Sequence, residues 1–344
     1  MNVKPYVSSI AAACLTLAAS GPILAQRPAT ASSPAVGWKA PRTPDGRPDL
    51  QGVWSFATLT PLERPKELAD KTVLTAEEAA AFVKLQMERQ NRDNRSAQAR
   101  QDIEGAYNNF WWDWGSDVIG TRRTSLIVDP PDGRIPPLTP EAQKRASGPR
   151  PRPATERVAL GAVVDNPEDL GLSERCIVGF SSGPPILANA YNNNLQIVQT
   201  SGHVVIHTEM IHEARIVPVD GRRRLPAHIW QWLGDSRGRW EGETFVIETS
   251  NFTDKSSFSG NLVGRNGSTA TMSLVERFTR VADDTLLYEF TVSDPATWTR
   301  PWTVQLPMTR TSEQIFEYAC HEGNYSMPGM MKGARAMEEA QGRQ

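Results

Sequence analysis

The stretch RWEGETFVIETSNF (239–252), followed by TMSLVERFTRV (271–281), a turn at Asp283-Asp284 and TLLYEFTV (285–292), decides the fold class. Apolar and polar residues alternate through most of it, which is the period of a strand with one buried face. Hairpins that follow one another in this way make an antiparallel meander. A meander hides its edges best by closing on itself. The expectation is therefore a mainly β protein whose meander closes into a lipocalin-like barrel. A barrel of about eight strands has room inside for one small ligand.

Working outward, strands are expected near 50–56, 125–129, 194–200, 203–210, 214–219, 239–249, 271–281, 285–293, 302–308 and 314–320. One helix is clear. Thr75 stands where an N-cap belongs and Glu78 three residues on, the pattern of a capping box. Ala79, Phe82, Val83 and Met87 continue it at helical spacing. Residues 146–156, rich in Pro and Arg, read as a surface loop. No internal repeat is present. The organisation expected is a leader over 1–25, a flexible tether over 26–48 and one barrel domain over 49–325. That domain carries a helical and loop insertion at about 57–190, and 326–344 follow as a flexible tail.

Lys4 is the only charge in the first 25 residues, and an Ala-rich apolar stretch runs from Ile10 to Ala19. That pattern reads as a secretory signal with a cut after Ala25. The apolar run is shorter than the roughly 20 residues a membrane span needs. No later segment is long and apolar enough to cross a bilayer, so no stable membrane insertion is expected. Removing the leader takes the formal net charge from -2 to -3, and a near-neutral chain is a poor partner for nucleic acid. Two cysteines then remain, Cys176 and Cys320. An exported chain with two cysteines favours one disulfide; two buried free thiols are the alternative. The composition says nothing of the oligomeric state.

Gly52-Val53-Trp54 resembles the Gly-x-Trp signature of lipocalins and related calycin barrels. The blocks PDLQGVW (48–54), RTSLIVDPPDGRIPPLT (123–139), ERC (174–176), YNNNLQIVQT (191–200), GDSRGRWEGETFVIETSNFTD (234–254), ERFTRVADDTLLYEFTVSDPATWTRPW (276–302) and EYACHEGNY (317–325) resemble a large, mostly uncharacterised group of exported bacterial proteins. That second resemblance covers nearly the whole mature chain. It implies a bacterial exported protein and brings no activity with it.

Several residues have chemistry to offer. His203 and His207 lie on a strand about 13 Å apart, too far to share one ion. His207 and Glu209 lie about 7 Å apart with side chains pointing the same way. They could flank a reacting group, or they could belong to an exterior polar face. Glu276 lies between Leu274 and Phe278 on one strand face. A carboxylate there either titrates high and handles substrate or pairs across strands with an arginine, Arg277, Arg280 and Arg300 being at hand. Arg215 could hold a substrate carboxylate. Tyr107, Trp111 and Trp112 belong to the most aromatic segment, with Asp113 among them. Such a segment suits a planar or sugar-like ligand, or plugs the barrel mouth. His321 follows Cys320 directly, and a disulfide would fix its backbone.

The chain has no G-x-S-x-G, no phosphate loop, no dinucleotide glycine fingerprint and no C-x-x-C. A serine hydrolase, an NTPase and a nicotinamide enzyme are thereby disfavoured, and no cofactor or metal is expected. The expected function is binding of an amphipathic or aromatic small molecule. A cofactor-independent lyase or isomerase would use His207, Glu209, Asp113 and His321 as acid–base groups and Trp111, Trp112, Tyr107, Arg215 and Glu276 as substrate contacts. A non-catalytic periplasmic carrier or sensor and a carbohydrate-active protein are the alternatives.

Overall fold

The computed structural model describes residues 37–93, 108–147, 166–179, 182–255, 270–320, 325–340 and 342. Ten strands form one antiparallel sheet: β1 (Gly52–Ser55), β2 (Ile127–Asp129), β3 (Asn194–Gln199), β4 (His203–Thr208), β5 (Ala214–Pro218), β6 (Asp235–Glu241), β7 (Thr244–Ser250), β8 (Ser273–Ala282), β9 (Thr285–Ser293) and β10 (Trp302–Thr311). Their order is β5-β4-β3-β1-β10-β9-β8-β7-β6, with β2 added on β10. The meander from β6 to β10 is the one the alternation predicts, and Phe278 faces Tyr288 across the β8–β9 pair. The stretch expected as one strand over 239–249 is a hairpin instead. Gly242, at φ +60°, supplies the left-handed turn between β6 and β7. Residues 314–320, expected as a strand, form none.

The sheet does not close into a barrel, because β5 and β6 share no hydrogen-bonded ladder. The edges come near one another, since a methyl group at Gly238 of β6 would lie 3.0 Å from Val217 Cγ1 of β5. Arginine side chains lie along the start of β6. The Asp235 carbonyl accepts from Arg224 and the Ser236 carbonyl from Arg237. The long β5–β6 connection also lies against β6, with Leu225 N–H donating to Asp235 Oδ2 at 3.0 Å. The edge is thus blunted rather than paired.

The concave face is packed by the chain itself. Inward positions of successive strands carry Leu274, Phe278, Tyr288, Phe290, Trp302 and Leu306, all buried. Phe278, Tyr288, Phe290 and Trp302 form a continuous run with ring centroids 4.7–5.9 Å apart. Ile186 and Leu187, from the connection before β3, belong to the same core. Trp54 of β1 is buried in the same core, and its indole donates to the Leu50 carbonyl at 2.9 Å. The guanidinium carbons of Arg280 and Arg310 lie 5.8 and 5.9 Å from its ring centre.

Among the described residues, three α-helices accompany the sheet: α1 (Ala76–Gln90), α2 (Pro140–Ser147) and α3 (Ser326–Ala340). The capping box of α1 is formed as read, with Glu78 N–H donating to Thr75 Oγ1 and Thr75 N–H to Glu78 Oε2. Replacing Thr75 with alanine is expected to lower stability by about 1 kcal/mol in denaturant titration; a shift under about 0.3 kcal/mol would show the box to be idle. α1 packs Ala79 with Leu59, Leu74 and Val118 as a small second core, against which Trp114 leans.

Both ends of the described chain differ from expectation. The segment read as a flexible tail forms α3, whose Ala334 packs on Leu170 beside Met327, Met330 and Met331. The described part of the expected tether carries a bridge between Arg42 and Pro48 and buries Ala40. Residues 1–36, over which a leader is expected, lie outside the described residues. Cys176 and Cys320 are joined by a disulfide with their Cα atoms 5.7 Å apart.

Candidate functional site

Two places in the fold gather chemistry: a buried ion pair inside the curl, and an aromatic cluster at the start of β3. Inside, alternation along β8 turns Glu276 inward and alternation along β5 turns Arg215 inward. Glu276 is 0 % exposed, and Arg215 grips it bidentately at 2.6 and 2.9 Å. Tyr288 donates its hydroxyl to Glu276 Oε1 at 2.8 Å and accepts Ile186 N–H at 3.1 Å. Burial, then the Glu276 charge, pushes the Tyr288 phenol well above its usual range. For Arg215, burial opposes the charge, but Glu276 more than offsets it and the pKa is raised. Both residues were expected to contact substrate, yet each satisfies the other. Arg277, Arg280 and Arg300, the partners considered from sequence, are engaged elsewhere, with Glu241, with backbone carbonyls and with Asp129.

His207 and Glu209 do not share a face. Val204, Ile206 and Thr208 of β4 are buried, so His203, Val205 and His207 point to the outer side of the sheet. The strand ends at Thr208. Glu209 has helical backbone angles, φ -62° and ψ -40°, and its side chain turns inward to become 5 % exposed. Its carboxylate accepts from Asn194 Nδ2 at 3.0 Å and from Phe316 N–H at 3.3 Å. Extending strand periodicity one residue past the strand's end is what misled the sequence reading.

The aromatic segment is fastened to the start of β3. Asp113 N–H donates to the Ala190 carbonyl at 2.7 Å. The fully buried Asn193 amide donates to the carbonyls of Asp113 and Asn189 at 2.6 and 2.7 Å. Gly115, at φ +83°, lets the chain press on Thr58, where a Cβ would meet the backbone nitrogen at 2.8 Å. Trp112 and Trp114 stack in parallel with centroids 5.4 Å apart. The Arg92 guanidinium lies 4.8 Å over Trp112, and Tyr191 meets that ring edge-on. Phe110 and Trp111, 5.5 Å apart on a 3-10 turn, are 83 and 61 % exposed.

Asp113 is exposed at the surface, yet its surroundings crowd its carboxyl. Partial desolvation first, then the charge of Glu313, raises its pKa. Asn193 and Asn194 therefore join two of the expected acidic residues: Asn193 holds the Asp113 backbone and Asn194 holds the Glu209 side chain. Tyr107 and His321 lie outside the described residues. Arg92, Glu313, Phe316 and the Asn193-Asn194 pair were missed from sequence. The run of three asparagines after Tyr191 was the available signal, because asparagines at a strand entry cap and cross-link loops. Among the described residues, no group of three or more His, Cys, Asp and Glu side chains is placed to hold a metal.

Compared with known protein families and with curated proteins, the chain matches none. Among solved structures, a mutant of the fluorescent protein UnaG is similar over 35 % of this chain and 72 % of that one, at 13 % identity and a TM-score of 0.20. A likeness that faint bears on neither site nor ligand.

Proposed function

We propose that this protein is an exported binding protein that holds an amphipathic or aromatic small molecule on the exposed aromatic surface at the start of β3. The observation that carries the reading is the exposure of Phe110 and Trp111 on a turn whose neighbours are held by Asn193 and the Ala190 carbonyl. Large aromatic rings displayed on an anchored backbone mark a recognition surface. The inward face offers less, since its polar groups pair with one another and Ile186 and Leu187 fill it. Carriage or sensing thus fits better than turnover. Export is supported by the disulfide, which an oxidising compartment sustains.

Acid–base catalysis by a lyase or isomerase is a second reading, favoured by the raised pKa of Asp113. It would draw on Asp113 and Glu209, with His207 on the outer face of the sheet.

The test is mass spectrometry of molecules that co-purify with the protein. Replacing Trp111 with alanine is expected to weaken retention of such a ligand by about thirtyfold, the effect of deleting a central aromatic anchor. Equal retention by the Phe110→Ala/Trp111→Ala variant would overturn the placement. Chemical change of the ligand, abolished by Asp113→Asn, would favour the catalytic reading.

A further inference from the structure

We infer that the connection between β5 and β6 is a docking surface for an anionic phospholipid bilayer, with Trp230 and Trp232 set into the headgroup boundary and Arg223 on the lipid phosphates. This surface is separate from the rings at the start of β3. Ile229, Trp230 and Trp232 are 41, 54 and 36 % exposed. Neither tryptophan makes a hydrogen bond or a ring contact through its side chain with any described residue. Gln231, between them, bridges Phe252: its carbonyl accepts Thr253 N–H at 3.0 Å and its own N–H donates to the Asn251 carbonyl at 2.9 Å. Side chains on either side of a bridged residue project the same way, so the two indoles share one face. Leu233 packs inward beside Leu172 and Val178 and anchors the end of the connection. Asn251, at φ +60°, clamps the rest, donating its amide to the carbonyls of Leu225, Pro226 and Ile229 at 3.4, 2.9 and 3.0 Å. Carbonyls that share one nitrogen lie within about 6 Å of each other. The clamp thereby brings the basic start of the connection up to its aromatic end.

Charge selects the partner. Residues 221–234 hold three arginines and no acid. Arg222 pairs with Asp220 and Arg224 with Glu248. Asp235, the next acid, is held by Arg237 and by Leu225 N–H, and Asp254, beyond the bridge, is followed by Lys255. Arg223 has only its carbonyl engaged, by Arg237 Nη2 at 2.9 Å. Its side chain is exposed and forms no ion pair with any described residue. Indoles beside an uncommitted guanidinium match the boundary between acyl chains and phosphates, where tryptophan sits by preference and each arginine adds attraction to anionic lipid. A sugar would need fixed polar groups beside the rings, and here Asn251 and Asp235 are taken by the backbone of the connection itself. A stable protein interface needs roughly 20–30 residues a side, more than this connection offers. Docking of this kind is peripheral and reversible, and needs no spanning segment.

The experiment mixes the full chain with vesicles of brominated phosphatidylcholine, with or without an equal share of phosphatidylglycerol, and follows quenching of tryptophan fluorescence by the bromines. The first tryptophan of the chain is Trp38, so the apolar N-terminal stretch does not report. Quenching is expected at about fivefold lower lipid concentration when phosphatidylglycerol is present, the attraction of one arginine to an anionic surface. Arg223→Gln should abolish that preference and leave binding to phosphatidylcholine unchanged. The Trp230→Ala/Trp232→Ala variant should need about tenfold more lipid, with an unaltered unfolding midpoint; if that variant does not fold, Arg223→Gln still decides. Phe110→Ala/Trp111→Ala should leave vesicle binding intact, which separates this surface from the one proposed for the small molecule. No quenching at millimolar lipid, or quenching unaltered in Trp230→Ala/Trp232→Ala, overturns the proposal. Equal binding to both kinds of vesicle overturns the anionic lipid as partner. A dimer in analytical ultracentrifugation that the double tryptophan variant loses, without any quenching, makes a second copy of the chain the occupant instead.

Discussion

Replacing Glu276 with alanine is expected to destabilise the protein by about 3–5 kcal/mol, the largest single-residue effect in the molecule. The carboxylate is fully buried and Arg215 is 9 % exposed in its side chain, so removal strands a guanidinium where water cannot reach it. It also deprives the Tyr288 hydroxyl of its acceptor. The pair joins β5 to β8, which are far apart in the order of the sheet. It therefore ties together the two halves of a curl that the backbone leaves open. Urea unfolding followed by intrinsic fluorescence reads the loss as a lower midpoint. Arg215→Met combined with Glu276→Leu should recover most of it, because an apolar pair of similar size avoids both desolvation penalties. A loss below about 1 kcal/mol in Glu276→Ala would mean that water reaches the pair and that the curl is looser than described.

The same pair shows how far the sequence could be read. An acid between Leu274 and Phe278 announces an inward carboxylate through period-two alternation, and a cross-strand arginine was the bland expectation. Which arginine was not legible. Arg277, Arg280 and Arg300 are near in sequence or in the hairpin, while Arg215 becomes a neighbour only once the sheet curls. The meander, the paired β8 and β9 and the α1 cap were readable because each rests on local rules. Closure was not readable, because whether β5 and β6 pair depends on how the two ends of the sheet meet, which strand alternation does not encode. α3 was missed because Gly329 and Gly333 weaken the local helical preference and its contacts to Leu170 are tertiary. At the site, the exposed rings could be named from composition. The company they keep could not, since Glu313 lies two hundred residues beyond Asp113 in the chain.

The disulfide carries the second large effect. Cys176 and Cys320 are 144 residues apart in sequence, and closing a loop of that size removes unfolded-state entropy equivalent to about 5 kcal/mol at room temperature. Engineered bonds often deliver less, so the expected loss on replacing both cysteines with serine is about 3–5 kcal/mol. The loss has a local side as well. Few hydrogen bonds hold the backbone between β10 and Cys320: Glu313 N–H reaches Thr311 Oγ1, Phe316 N–H reaches the Glu209 carboxylate, and Cys320 N–H reaches the Tyr318 carbonyl. With the bond cut, that segment is held mainly at its β10 end, and Phe316 loses its fixed place at Glu209. Stability and ligand retention should therefore fall together in the double serine variant, whereas Thr75→Ala should lower stability alone. Alkylation of the protein without reductant should label neither cysteine, and both after reduction and unfolding. Labelling before reduction would remove the bond from the native structure. An unchanged unfolding midpoint in the serine variant would show instead that packing around Leu172, Val178 and Leu233 holds this region unaided.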